Sequence, residues 1–93
     1  MLVGVCTITL RLHATQSLKD KRSIVKGLVT RIRQQLNVGV AEIGALDEIG
    51  RAVIALSTVS LGEAVIRDLF RSAEAMADRA PGAEVVAVDV EFW

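Results

Sequence analysis

Apolar and polar residues alternate along both ends of the chain. From Leu2 to His13 one alternate set is entirely apolar or small, and from Glu84 to Trp93 the same period of two returns. This period is typical of β-strands, so the chain is predicted to begin and end in strands whose apolar sets face the core. The first set is Gly4, Cys6, Ile8, Leu10 and Leu12, and the second is Val86, Val88, Val90 and Phe92.

Two segments carry the helical period instead. Ser17 and Asp20 are spaced as a capping box, which predicts that the first helix begins there and ends near Asn37. A second capping box at Ser60-Leu61-Gly62-Glu63 predicts a helix that ends at Pro81-Gly82. The predicted stripes are Ile24, Val25, Leu28, Val29, Ile32 and Leu36 in the first helix, and Val65, Ile66, Leu69, Phe70, Ala73, Met76 and Ala77 in the second.

Between the helices, residues 38–43 and 51–59 are predicted to be strands joined by a loop between Gly44 and Gly50. The order is therefore strand, helix, strand, strand, helix, strand. With right-handed crossovers it gives a four-stranded antiparallel sheet with both helices on one face, which is a ferredoxin-like α+β fold. No linker or repeat interrupts the chain, so residues 1–93 are predicted to form a single domain.

The sheet face turned away from the helices is expected to be largely apolar. A face of this kind is normally covered, and the simplest cover is a second copy, which predicts a homodimer through the open sheet face. The face also lacks the aromatic residues on which RRM-type proteins of this fold stack RNA bases. The apolar positions expected on it are Val3, Val5, Val53, Ala55, Val59, Val85 and Ala87.

The composition indicates which cellular compartment suits the protein. Cys6 is the only cysteine, so no intramolecular disulfide and no zinc site built from cysteines is expected, which fits a reducing environment. The first residues lack the basic segment of a signal peptide, and no apolar run approaches 18 residues. We therefore expect a cytoplasmic protein that does not enter a membrane.

Candidate catalytic groups are few. His13 is the only histidine and has no paired nucleophile, while Ser17 and Ser60 are explained as helix caps. Asp89 and Glu91 share a face of the last strand, but no further metal ligand accompanies them. There is no glycine-rich phosphate loop. The sequence thus predicts no enzyme, no metal and no cofactor.

Charge is more informative, because it is unevenly distributed. Net charge is zero, yet residues 1–53 hold eight Lys and Arg against four Asp and Glu, while residues 54–93 hold three against seven. At helical pitch Lys19, Arg22, Lys26 and Arg33 fall within an arc of about 60°. Lys21 adds a third cation to the first turns, where the helix dipole disfavours cations and favours anions.

These cations predict a site for an anion or a nucleic acid, although a solvated helix face is the plain alternative. The arc of Lys19, Arg22, Lys26 and Arg33 forms a basic stripe that flanks the apolar face of the helix. Cations along one helix can follow a phosphate backbone. The predicted site residues are Lys19, Lys21, Arg22, Lys26 and Arg33, extended by Arg11, His13 and Arg51 if the strand ends bring them near.

Several segments resemble one family. Ser17-Leu18-Lys19-Asp20-Lys21-Arg22 is similar to its S-L-K-(D/E)-K-R signature, and residues 37–42 to its N-V-x-V-A-E segment. Residues 51–53 and 88–91 also fit. The chain resembles the YlxP-like family of small bacterial proteins, which implies a ferredoxin-like fold and no established enzymatic activity. Members of that family are often encoded near translation and ribosome-assembly factors, so the resemblance favours an RNA-associated role. Relatives commonly carry Trp-Gln before the arginine, where this chain has Ile49-Gly50.

Two hypotheses follow. The first is a non-catalytic accessory factor that associates with RNA or the ribosome and binds phosphate backbone through the first helix. The second is a dimeric structural or regulatory module that binds a small anionic ligand at the N-terminus of that helix.

Overall fold

The computed structural model describes residues 1–13 and 15–93 and confirms the predicted order of elements. The four strands form one antiparallel sheet in the order β2-β3-β1-β4, and both helices pack their buried residues into the core on one side of it. This is the ferredoxin-like α+β arrangement. The elements are β1 Leu2–Leu12, α1 Leu18–Gln35, β2 Gly39–Gly44, β3 Arg51–Ser60, α2 Glu63–Asp78 and β4 Ala83–Phe92.

The core follows the predicted apolar sets closely on β1. Cys6, Ile8, Leu10 and Leu12 are buried at every second position, as the period of two requires. Gly4 completes this set because α2 crosses the strand there. A Cβ on Gly4 would lie 2.4 Å from Cγ2 of Ile66, so only glycine allows so close an approach.

Strand β4 departs from the prediction in its first half. A register shift opposite Thr9 and Leu10 pairs Val85 with Leu10, whereas Val88 pairs with Ile8. Because the irregularity adds one residue, Val85 turns to the core and Val86 is exposed. The predictions that Val86 faces the core and that Val85 lies on the open sheet face are therefore wrong.

The two helices begin differently. Ser17 is the N-cap of α1, and its Oγ accepts a hydrogen bond from the backbone N–H of Asp20 at 3.1 Å, as predicted. In α2 the N-cap is Gly62, which has no side chain to cap the helix, so the predicted capping box at Ser60 is wrong. Ser60 instead accepts from the N–H of Gly62 at 3.2 Å and shapes the turn before the helix.

One end of the sheet gathers the start of α1, the β2–β3 loop and the start of β4. His13 donates its backbone N–H to the carbonyl of Gly82, and Leu12 donates to that of Gly50. The hydroxyl of Thr15 donates to the carbonyl of Ile49 at 2.9 Å. These bonds fix the loops around the region where the sequence predicted binding residues. Neither α1 nor α2 is both long and apolar enough to span a bilayer.

Candidate nucleic-acid interface

Three of the predicted cations form a free surface along α1. Lys19, Arg22 and Lys26 are exposed and lie on successive turns of one flank of the helix. Among the described residues, none of the three has a carboxylate within ion-pair distance. We call these three residues the α1 basic flank. They span about 10 Å along the helix axis, at 1.5 Å per residue.

Lys21 does not belong to that surface. Its side chain is fully buried, its Nζ lies 3.1 Å from Oε2 of Glu42 on β2, and it donates a hydrogen bond to the carbonyl of Ala45. The prediction that Lys21 helps to hold an anion is corrected, because its charge is already matched inside the protein. Lys21, Val25, Leu28 and Ile32 are the buried residues of α1, so the lysine occupies a core position.

The Lys21 contact also fixes the backbone after β2. Ala45 has a φ of 57°, in the left-handed region that a residue with a side chain seldom adopts. The carbonyl of Ala45 accepts a hydrogen bond from Lys21 as well as one from the backbone N–H of Glu48 at 3.0 Å. Oε2 of Glu42 receives no hydrogen bond within the described part of the chain, so its contact with Lys21 is one of charge. Lys21 thus joins α1, β2 and the β2–β3 loop.

Arg33 lies at the far end of the same side of α1. It is exposed, but its Nη2 donates to the carbonyl of Val40 at 3.0 Å, which ties the guanidinium to the outer edge of β2. A guanidinium has further donors, so Arg33 keeps its charge and part of its hydrogen-bonding capacity for a ligand. It can extend the α1 basic flank at one end.

The three strand-end residues are brought together but are already paired. Arg11 stands opposite Arg51 in the β1–β3 register. Nε2 of His13 lies 2.9 Å from Oε2 of Glu84, and Nη1 of Arg11 lies 4.0 Å from the same oxygen. Arg51 is 3.2 Å from Glu48. Because these carboxylates offset the cations, this cluster offers an anion less than the α1 basic flank does.

The N-terminus of α1 is occupied by the chain's own groups. Ser17 accepts from the N–H of Asp20, and Oδ2 of Asp20 accepts from the N–H of Gln16 at 3.2 Å. The carboxylate of Asp20 therefore remains beside the free N–H groups of the first turn, where a bound anion would otherwise sit. This arrangement favours contact along the side of the helix over a ligand at its end.

Two cations outside the predicted set flank the gap between the helices. Arg31 and Arg79 line a concavity of about 240 Å³ together with Gln35, Met76 and Pro81. The helical projection places Arg31 away from the basic stripe, and Arg79 lies beyond the end of α2. Only the packing of the two helices brings them near one another, so the sequence pattern carried no signal for this pair.

The described residues hold no cluster suited to a metal ion. No group of three or more His, Cys, Asp or Glu side chains among them could hold an ion. Cys6 is buried, and burial, with Glu74 and then Asp89, raises its pKa to about 11. The reactive thiolate is therefore scarce at neutral pH.

Comparison with known proteins gives a family without an assigned activity. A family model described as "Protein of unknown function (DUF503)" matches residues 3–90. The uncharacterized protein YlxP of Bacillus subtilis (strain 168) is 25% identical over 92 residues, which cover 99% of this chain and all of that one. Among solved structures, a de novo designed protein with a ferredoxin fold superposes with a TM-score of 0.55 at 15% identity, over 98% of this chain and 85% of the design.

Proposed function

We propose that this chain, which belongs to the DUF503 family of proteins of unknown function, is a non-catalytic factor that binds the phosphate backbone of structured RNA. The contact is made by the α1 basic flank, with Arg33 at its end. The ribosome is the source of structured RNA that we propose. The observation that supports this most is the set of three exposed cations that have no carboxylate partner in the described part of the chain.

Three other arginines are paired with carboxylates, and this contrast makes that observation significant. Arg67 lies 3.2 Å from Glu63, Arg71 lies 3.0 Å from Asp68, and Arg51 lies 3.2 Å from Glu48. On α1 the three cations repel one another across single turns, with no carboxylate of the described residues within ion-pair distance, which costs a few tenths of a kcal/mol per pair. A surface that retains unpaired like charges is suited to a polyanion, whose binding releases counterions.

The remaining surface favours recognition of shape and charge over recognition of bases. Of the three aromatic residues in the chain, Phe70 is buried, and the ring of Phe92 is covered by the guanidinium of Arg67 at 4.8 Å. Trp93 is exposed at the far end of β4. With no row of aromatic side chains on the sheet, bases have no stacking platform, and phosphates are the contact that the protein can make.

The test is the salt dependence of binding to a structured fragment of ribosomal RNA. We expect the triple variant Lys19→Ala/Arg22→Ala/Lys26→Ala to bind more weakly and to lower the slope of log K against log salt by about 2–3, since each phosphate contact contributes about 0.7–0.9. The matched control is Arg51→Ala/Arg67→Ala/Arg71→Ala, which removes the same charge from residues that are already paired. This control is expected to keep the slope of the unmodified protein.

Two results would overturn the proposal. One is the absence of RNA binding by the unmodified protein at low salt. The other is an equal loss of slope in both triple variants, because net charge alone would then explain the binding.

A second candidate function is a structural module that dimerises through the open sheet face. Val59 is 60% exposed there, and with Val3 and Val38 it lines a concavity of about 260 Å³. Sedimentation at high micromolar concentration should show a dimer that Val59→Lys dissociates, because a charge buried between two faces is costly. A monomer at these concentrations argues against this candidate and leaves RNA binding unaffected.

A further inference from the structure

The two edges of the sheet are treated differently. Strand β2 has only six residues, its register shifts between Glu42 and Gly44, and Arg33 binds its outward carbonyl at Val40. Short length, irregularity and a covering cation are the usual ways to protect an edge. Strand β4 has ten residues, and its one described register shift lies in its first half, so the stretch from Val88 to Phe92 has no such protection within the described residues.

The open part of the β4 edge can be located from its hydrogen bonds. Val3 and Trp93 exchange both backbone bonds, at 3.0 and 2.8 Å. Because bonded pairs alternate in an antiparallel ladder, the N–H and C=O groups of Val88, Val90 and Phe92 point away from β1. Nearer the start of the strand, Oδ1 of Asp78 accepts from the N–H of Val85 at 3.3 Å and covers the edge there.

A groove runs beside this open edge. Two adjoining concavities of about 300 and 370 Å³ share Arg71 and Glu74 and lie between α2 and β4. Phe70, Val88 and Val90 give the first of them an apolar lining. We call the two concavities together the α2–β4 groove. Val88 is 37% exposed and Val86 is 43% exposed, so apolar surface of the edge strand remains in contact with water.

The charges around the edge are acidic. Arg67 and Arg71 on the groove wall are each paired with a carboxylate of their own helix. Within the described residues Glu74, Asp89 and Glu91 have no cation within ion-pair distance. Glu74 borders the groove, whereas Asp89 and Glu91 pair with Thr7 and Val5 and project from the other sheet face. Unmatched carboxylates therefore stand on both sides of the edge.

We propose that β4 accepts an extended basic segment of another protein as a fifth strand. Its backbone would pair with Val88 and Val90, its alternate apolar side chains would enter the α2–β4 groove, and its Lys or Arg side chains would face Asp89 and Glu91. Period two in the added strand places these two sets on opposite faces. The acidic surroundings supply the charge complementarity that selects such a segment.

A second copy of this chain fits the edge less well. Antiparallel pairing of two β4 strands around Val90, the middle of the open stretch, sets Asp89 of one copy opposite Glu91 of the other. Like charges directly opposite on a sheet are destabilising. The edge therefore favours a basic partner over itself.

The experiment uses a seven-residue acetylated and amidated peptide that alternates lysine and valine, titrated into the isotope-labelled protein and followed by NMR. We expect shifts at the amides of Val88 and Val90, slower hydrogen exchange there, and binding weakened at least about tenfold when alternate peptide nitrogens are methylated. The peptide that alternates glutamate and valine should bind no more than weakly.

Charge reversal gives the matched pair of variants. Asp89→Lys should lower the affinity for the lysine peptide about tenfold. Asp47→Lys, in the exposed β2–β3 loop, should leave that affinity unchanged. Equal effects of the two variants, equal binding of the methylated peptide, or shifts confined to other elements would overturn the proposal. Protection of β4 that rises with protein concentration alone would also overturn it, because a second copy would then hold the edge.

Discussion

Lys21 shows how one buried charge can organise three segments of a chain. Its side chain is fully enclosed while that of Glu42 retains 20% exposure, so the two partners of the pair differ in their access to water. A buried ion pair adds little net stability over apolar residues, but removal of one partner leaves the other charge uncompensated. The Glu42 side chain keeps some contact with water even though its Oε2 is buried, whereas the ammonium of Lys21 has none.

Glu42→Gln is therefore expected to lower the free energy of unfolding by about 3 kcal/mol, because it leaves the Lys21 ammonium buried without a counter-charge. Lys21→Met should lower the free energy of unfolding by clearly less than Glu42→Gln does. The double variant Lys21→Met/Glu42→Gln should recover most of the stability that Glu42→Gln loses. Chemical denaturation of the four proteins in a double-mutant cycle measures the coupling. Additive losses would show that the two charges do not depend on each other.

Cys6 gives a pH dependence at the residue scale. Its pKa is raised from 9.0 to about 11 in the folded protein, chiefly by burial. The unfolded chain therefore loses the thiol proton first, so the stabilising contribution is complete below pH 9 and is lost as pH rises towards 11. Cys6→Ala should reduce the fall in unfolding free energy between pH 9 and 11, by up to about 1.4 kcal/mol per pH unit. Urea titrations at several pH values test this, and identical slopes would contradict it.

At the scale of elements, periodicity predicted which segments form helices and strands, and it failed where one residue changed the phase or the start. The bulge in β4 exchanges the faces that were predicted for Val85 and Val86, and a run of consecutive apolar residues does not reveal such a bulge. Ser60 and Gly62 are both acceptable caps in sequence, and the turn after β3 decides between them.

The wrong prediction that Lys21 helps to hold an anion could have been avoided from the helical spacing of the sequence. Lys21 precedes Val25, Leu28 and Ile32 by four, seven and eleven residues, which is the spacing of one buried stripe. Grouping Lys21 with the exposed cations followed its residue type and neglected its phase. The pairing of Arg11 and His13 is different, because it depends on Glu84, which only the folded sheet brings near.

Gly4 on β1, beneath α2, and Gly27 within α1 are expected to respond in opposite ways to substitution by alanine. Gly4→Ala is expected to destabilise the protein by about 1–3 kcal/mol, since its new Cβ meets Ile66 at 2.4 Å and Phe70 at 3.1 Å beneath α2. Gly27→Ala within α1 meets only Nη1 of Arg31 at 3.4 Å and should stabilise by up to about 1 kcal/mol. Thermal unfolding of both variants measures the contrast, and a shift of the same sign in both would contradict it.

At the scale of the whole molecule, the fold keeps the two charge populations of the sequence apart. Helix α1 contacts β2 at one side of the sheet, and α2 contacts β4 at the other. The α1 basic flank and the acidic surroundings of β4 therefore lie on opposite sides of a molecule whose formal net charge is zero. Such a molecule carries local fields that its net charge does not indicate.

This separation predicts that the protein is retained on both cation and anion exchangers at pH 7 and low salt. The variant Lys19→Ala/Arg22→Ala/Lys26→Ala should elute earlier from the cation exchanger, whereas Asp89→Ala/Glu91→Ala should elute earlier from the anion exchanger. Retention times at matched salt gradients measure both effects. Passage of the unmodified protein through both columns would show that the charges are too evenly spread to act locally.

The pair formed by Lys21 and Glu42 also has a consequence for how related sequences diverge. The two residues come from separate segments, one in the first turn of α1 and one in the middle of β2, yet the buried ammonium without its carboxylate is a liability. Substitutions at these two positions should therefore be inherited together. Relatives that have lost the carboxylate at position 42 should also have replaced the lysine at position 21, and an alignment would show this as covariation between two positions 21 residues apart.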